Sequence, residues 1–285
     1  MQLGSTGIWS IELRMADPSE IADTAAELDD LGWGALWFPG LGGGDILADS
    51  ERLLRATRRL AVAIGVASIW RHPAGEIAVG HARLQETYGR RHVLGLGVSD
   101  PAAAHAAGHP YRPRADMGRY LDDLDRAPAP VPPAERLMAA LGPRMTELAG
   151  QRTAGVHPFM VTPDYTAAAR KQLGDGPVIA PYQAVVLERD PAKARAAARD
   201  FLGVFLGMDH YARSLLRQGF TERDLAAGGS DRLIDGVVAW GDVDDIGARL
   251  RAHHQAGADH VCLHVVGAGP GMPLPQWREL AALTA

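Results

Sequence analysis

Cysteine is almost missing from this chain: 285 residues carry one, Cys262. That excludes a disulfide framework and any paired-thiolate zinc or redox site, and it makes a reducing cytoplasm the default expectation. No basic segment followed by a long apolar one appears in the opening MQLGSTGIWSIELRM, so no signal peptide is expected. No apolar run approaches the roughly 20 residues a membrane helix needs. Lysine and arginine nowhere cluster, and the formal net charge is −5, so neither nucleic acid nor an acidic membrane is an expected partner. There is no HExxH, no Gly-x-Ser-x-Gly elbow, no P-loop and no metal-ligand cluster. With no protein-borne nucleophile and no metal in view, the hard step falls to an organic cofactor acting on a small-molecule substrate.

What the chain does have is alternation. Short apolar runs recur at 8–13 (IWSIEL), 34–38 (GALWF), 61–67 (AVAIGVA), 92–98 (HVLGLGV), 136–141 (RLMAAL), 155–161 (GVHPFMV), 178–187 (VIAPYQAVVL) and 259–266 (DHVCLHVV). They are apolar on both alternating faces, as strands covered on two sides should be. Helices follow with explicit start signals. Asp17-Pro18 can cap and open one, with Ile21, Ala25, Leu28 and Leu31 on its apolar face and Gly32 at its end. The same strand-then-X-Pro step recurs at His72-Pro73, Gly142-Pro143, Thr162-Pro163 and Asp190-Pro191, with Asp100-Pro101 a further candidate. Eight such units fit an α/β fold of the (β/α)8 TIM-barrel type in one domain, 1–285. A helical insertion at about 191–257 would separate the last two strands. A doubly wound sheet is the structural alternative, but its first strand would lead into a glycine fingerprint, and this one runs into ELRMADP.

In such barrels ligands sit at the C-terminal strand ends. Gly95 and Gly97 in VLGLGVSD fill two places of GxGxxG, but Asp100 stands at the third, so a fourth strand with a close backbone approach is the better reading. Gly65 interrupts the third strand and suggests a bulge, and Trp70 and Arg71 follow it to the rim. The helix starts at Gly142-Pro143 and Thr162-Pro163 expose free N–H groups and positive dipole ends, which suit a phosphate; ordinary capping is the alternative. His253 and His254 are consecutive on a helix and cannot share a face. His264 lies near the end of the last strand, while His105, His109, Tyr111 and Arg112 sit on a loop able to reach over the mouth.

Taken in order, GWGALWFPG, RRLAVAIGVASIWRHP, GRRHVLGLGVSD, ALGPRM, HPFMVTPDYTAAA and the stretch from GSDRLIDGVVAWGD to HVCLHVV resemble the bacterial luciferase-like oxidoreductases. The similarity is nearest to the branch that uses the deazaflavin coenzyme F420. It covers essentially the whole chain. The resemblance implies a luciferase-like (β/α)8 barrel, often a homodimer, with the cofactor across its C-terminal mouth. It places a non-prolyl cis peptide at Gly65-Val66 with Ser68 nearby, the ring system against Gly97, Val98 and Ser99, and the phosphate at Leu141-Gly142 and Val161-Thr162. The implied activity is hydride transfer between F420 and a small organic substrate, with an FMN-dependent monooxygenase as the alternative. Asp100 and His264 are then the candidates for proton transfer, and Arg14, Phe38, Trp70, His109, Tyr111 and Arg112 for substrate contact. One departure stands out. Phe38-Pro39-Gly40 and the LGGG behind it occupy the place where many relatives carry a polar or acidic residue, which keeps open a cofactor-binding member without redox turnover.

Overall fold

The X-Pro steps start helices for the reason their chemistry suggests. Asp17 accepts a hydrogen bond from the Ser19 amide at 2.9 Å and opens the helix Pro18–Asp30. Asp190 accepts from Ala192 and Lys193 and opens Pro191–Leu206. Thr162 accepts from Tyr165 and opens Pro163–Leu173, whereas Gly142 opens Pro143–Arg152 with no side-chain cap. The computed structural model describes residues 1–41, 43–99 and 101–284. Asp100 therefore lies outside the described residues, although the helix Pro101–Ala106 follows it.

Between the helices run β1 (Thr6–Trp9), β2 (Ala35–Gly40), β3 (Ala61–Ser68), β4 (His92–Gly97), β5 (Arg136–Met138), β6 (Gly155–Val156), β7 (Val178–Ile179), β8 (Tyr182–Val186), β9 (Val238–Trp240) and β10 (Val261–Val265). All pair in parallel, in the order β7-β6-β5-β4-β3-β2-β1-β10-β8-β9. Since β7 and β8 are two halves of the single run 178–186, the sheet curls back on itself, and the fold is the expected luciferase-like TIM barrel. Leu36, Phe38, Ile64, Leu94 and Leu96 point outward to the helices. Trp37, Ala63, Val93, Leu137 and Cys262 point inward. Each fully buried Leu or Phe contributes about 1.5–3 kcal/mol.

Five expectations need correcting. The run 8–13 is strand only to Trp9, because the Ser10 hydroxyl accepts the Glu12 amide at 3.2 Å and turns the chain into the short helix Glu12–Met15. The runs 136–141 and 155–161 pair only over Arg136–Met138 and Gly155–Val156, and Pro158 has no N–H with which to extend the second. The run 178–187 breaks at Ala180-Pro181. The segment 191–257 is not purely helical: Val238, Ala239 and Trp240 pair with Ala184, Val185 and Val186 along the edge of β8 that does not face β10.

The bulge in β3 can be read directly from register. Between Ile64 and Ala67 the strand advances three residues while β4 advances two, from Leu94 to Leu96; β2 likewise advances two, from Phe38 to Gly40. One extra residue is thus squeezed in against both neighbours, and the Gly65-Val66 peptide is cis.

Candidate active site at the barrel mouth

β3 is buried along its length except at Gly65 and Val66, which are partly open to the mouth. The protein grips this bulge from two sides. The Trp9 indole N–H donates to the Gly65 carbonyl at 3.0 Å. Below, a Cβ placed on Gly65 would lie 3.0 Å from Trp9 Nε1, 3.1 Å from Trp37 Cε3 and 3.2 Å from His157 Nε2. The His157 ring stacks on Trp37 at 4.4 Å and shares a 2.7 Å hydrogen bond with the Ala180 carbonyl through Nδ1. Burial pulls its pKa down to about 4, so it is neutral at ordinary pH. Beside the bulge, β4 ends in the partly open Val98 and Ser99. Ser99 has φ 53°, an uncommon left-handed turn for a non-glycine residue, and its carbonyl accepts from the Tyr111 hydroxyl at 3.0 Å.

On the other side of Trp9 rises an aromatic wall. Phe159 follows β6, Phe201 and Phe205 lie one turn apart on Pro191–Leu206, and Tyr211 is on Asp209–Arg217. Phe159 meets Tyr182, Phe205 and Tyr211 edge-to-face at 4.6, 5.0 and 5.2 Å, and Trp9 meets Tyr182 at 5.3 Å. Tyr182 and His264 are buried behind these half-open rings and hydrogen-bond through the phenol and Nδ1. Burial raises the Tyr182 phenol well above its usual range and lowers His264 to about 3, so both are uncharged near neutrality. The ionisable group beside them is Glu12, half-buried, whose carboxylate accepts from the buried Ser10 hydroxyl and is felt electrostatically by Tyr182.

The two helix starts form a separate cleft of about 420 Å³, lined by Leu141, Thr146, Thr162, Tyr165, Arg217 and Gln218 among others. Gly142 leaves it open: a Cβ there would meet only Arg217 Nη2, at 3.8 Å. Arg217 also reaches the Leu141 carbonyl at 3.4 Å, and Gln218 ties the inserted helices to Thr162 and Met160 at 2.9 and 3.1 Å. Uncapped amides, a positive helix end and a guanidinium face one another here, a combination that suits a phosphate. Asp164 is the one carboxylate among the lining residues.

The other expected residues are distributed unevenly. Val161 is buried beside the cleft, and Ser68 is buried under the β3 tip, accepting from the Trp70 amide at 3.4 Å. Trp70 donates to the Val98 carbonyl at 2.7 Å and stacks on His109 at 5.6 Å, flanking the rim. Phe38, expected at the substrate, is fully buried in the outer core, because its side chain alternates away from the mouth. Arg14 is also committed elsewhere. It pairs with Asp49 at 2.7 Å and donates to the carbonyls of Pro39, Leu41 and Gly43, so it holds the loop after β2 and leaves nothing for a substrate anion. Arg112 is exposed, and its backbone amide binds Asp116. Sequence reasoning missed Glu12, Trp9, Phe201, Phe205, Tyr211 and Arg217. For Glu12 the available signal was Ser10 two residues earlier, the spacing of a turn that ends a strand.

No family model matches the chain. A protein of Mycobacterium tuberculosis named as a coenzyme F420-dependent oxidoreductase is 24% identical, with 99% of both chains covered. The 5,10-methylenetetrahydromethanopterin reductase of Methanolobus tindarius is 25% identical over 85% of this chain and 89% of its own. Among solved structures, an F420-dependent secondary alcohol dehydrogenase in complex with an F420-acetone adduct superposes with TM-score 0.74 at 14% identity, covering 99% of each chain. The fold shared with that structure is a curled parallel barrel, here with its open site at the C-terminal strand ends. Over nearly its whole length the chain is similar to proteins named as F420-dependent oxidoreductase and reductase.

Proposed function

We propose that the protein transfers a hydride between coenzyme F420 and an organic carbonyl, imine, alkene or alcohol at the barrel mouth. The observation that carries this reading is the Gly65-Val66 bulge: the one opened stretch of β3, held by Trp9 and flanked by Val98 and Ser99. That is a flat, uncharged floor suited to a tricyclic ring. The fit extends to the other end of the cofactor, because Gly142 has open space facing Arg217 where its phosphodiester would lie. When bound, the deazaflavin supplies the two-electron chemistry.

The chain's own residues do the rest. Gly65, Val66, Gly97, Val98 and Ser99 support the ring, with Ser68 beneath them. Leu141, Gly142, Val161 and Thr162 shape the phosphate cleft, and Arg217 adds its charge. Glu12 is the group placed to move a proton: protonated, it gives H⁺ to the substrate heteroatom as the adjacent carbon gains hydride, and in the oxidising direction its carboxylate accepts that proton. Neutral His264, held by Tyr182, orients the substrate oxygen or nitrogen; Asp100, outside the described residues, remains a further candidate. No described helix is long and apolar enough to cross a membrane. A cytoplasmic homodimer is the assembly this reading carries, checked by light scattering.

A binding titration with F420, FMN and NADPH tests the assignment. F420 is expected to bind in the micromolar range, a binding free energy on the order of −8 kcal/mol. Tight FMN binding with none for F420, or O2 consumption with reduced flavin, would overturn it. F420 binding without turnover across a broad carbonyl, imine and alcohol panel would instead mark a member without catalysis.

A further inference from the structure

The wall beside Trp9 says more about the substrate than the floor does. Its rings come from four separate places, the tip of β1, the β6 loop and two inserted helices, yet they converge with centroid distances of 4.6–5.7 Å. Rings that only filled core would be sealed. Here Trp9, Phe159, Phe201, Phe205 and Tyr211 all keep part of their surface open, and Trp9 joins them to the bulge through its bond to the Gly65 carbonyl.

Charge is arranged with equal consistency. On Pro191–Leu206, Arg195 and Arg199 lie one turn apart and pair with Asp235 and Asp231 at the back of the helix. Phe201 is two positions past Arg199, about 200° around a helix of 3.6 residues per turn, so Phe201 and Phe205 point the opposite way. Arg14 is consumed by the β2 loop and Asp49, and Arg217 lies in the phosphate cleft. Tyr182 and His264 are uncharged. Among the described residues, Glu12 lies at the Tyr182 end of this wall and the half-buried His210 lies against Tyr211, 4.0 Å between ring centroids.

Building on the hydride-transfer reading, we propose that the substrate is a planar aromatic or fused-ring compound that stacks against the Phe159–Phe205–Tyr211 wall with its reducible group toward Glu12. A short aliphatic alcohol or ketone leaves the wall unfilled. Aromatic contacts of this kind also make the insertion, rather than the barrel, the element that sets specificity.

The test uses calorimetric titration of the F420-loaded protein with 2-acetylnaphthalene and 2-butanone. The naphthyl ketone is expected to bind at least about tenfold more tightly. Equal or tighter binding of butanone would overturn the proposal. Phe205→Leu keeps an apolar side chain of similar volume and loses the ring, so it should weaken the naphthyl ketone roughly fivefold without altering F420 affinity; no change would also overturn it. F420 affinity is measured separately in every variant. Loss of F420 binding with the probe preferences intact would sink the hydride-transfer reading and not the account of the wall.

Discussion

Two strand tips at this mouth carry glycine, and the side chain is missing for opposite reasons. At β4, a Cβ on Gly95 would lie 2.0 Å from the Ile64 carbonyl oxygen, and one on Gly97 would lie 2.6 Å from Val66 Cγ2. The space is already taken by the protein's own bulge. At the β5 tip, a Cβ on Gly142 would meet only Arg217, at 3.8 Å, so that space is empty of protein. The first glycine pair makes room for the β3 bulge, and so shapes the proposed ring floor indirectly. The single glycine at β5 leaves room for a ligand. Glycine in a strand tip thus identifies a close approach, and only the neighbour shows whether the approaching group is structural or bound.

The sharpest way to break that comparison is to fill both spaces. Gly95→Ala should cost about 3 kcal/mol, since the clashing atom is backbone and cannot rotate away. A melting temperature unchanged from the parent protein would show that the bulge yields, and the β4 glycines would then have no packing role. Gly97→Ala meets a side chain instead and should cost less, with weaker F420 binding as the bulge tilts.

Acid separates the two tips next. Under the bulge, burial holds His157 and His260 near pKa 4, below the ordinary 6.5. The folded state therefore keeps these rings neutral while the unfolded chain takes up protons, so between about pH 6.5 and 4 unfolding binds protons and stability rises with pH. The contribution is fully present above 6.5 and is lost as pH falls toward 4, on the order of 2 kcal/mol per ring. Thermal melts across this range check the slope, and His260→Gln should flatten it. The variant also removes the partner of the Trp37 indole N–H, 3.0 Å away, so its melt at pH 8 gives the baseline.

How much of this was legible in the chain follows from how far apart the contributing residues lie. The barrel was readable because each unit is local: a run of apolar residues, an X-Pro step and a capped helix. Gly65 marked the bulge because a glycine inside a β-branched run has few other uses. The two helix starts could be named for the same reason. The aromatic wall could not, because its rings are drawn from residues 9, 159, 201, 205 and 211, and the i, i+4 pair Phe201–Phe205 reads alone as an ordinary buried stripe. Glu12 was hidden by a strand assignment that ran four residues too far. Arg14 and Phe38 were placed at the substrate by position along the chain, and the structure turns one into a tie for the β2 loop and the other into outer core.

At the β5 tip the expected effects are smaller and fall on the ligand. Arg217 is exposed and makes only a long contact to the Leu141 carbonyl, so Arg217→Ala should leave the melting temperature within about 1 °C and weaken F420 roughly tenfold, the size of one charge-assisted contact. The loss should shrink as salt is raised, because screening weakens the guanidinium's attraction for a phosphate at this open site. Gly142→Ala is the mildest change of all. Its φ of −106° suits any residue, so stability should hold to within about 0.5 kcal/mol, while the new methyl crowds the approach to the first free amides and lowers F420 affinity about two- to threefold. If Gly142→Ala instead destabilised the fold as Gly95→Ala is expected to, the β5 glycine would be filling a structural role like its neighbour, and the anion would have to bind elsewhere along the mouth.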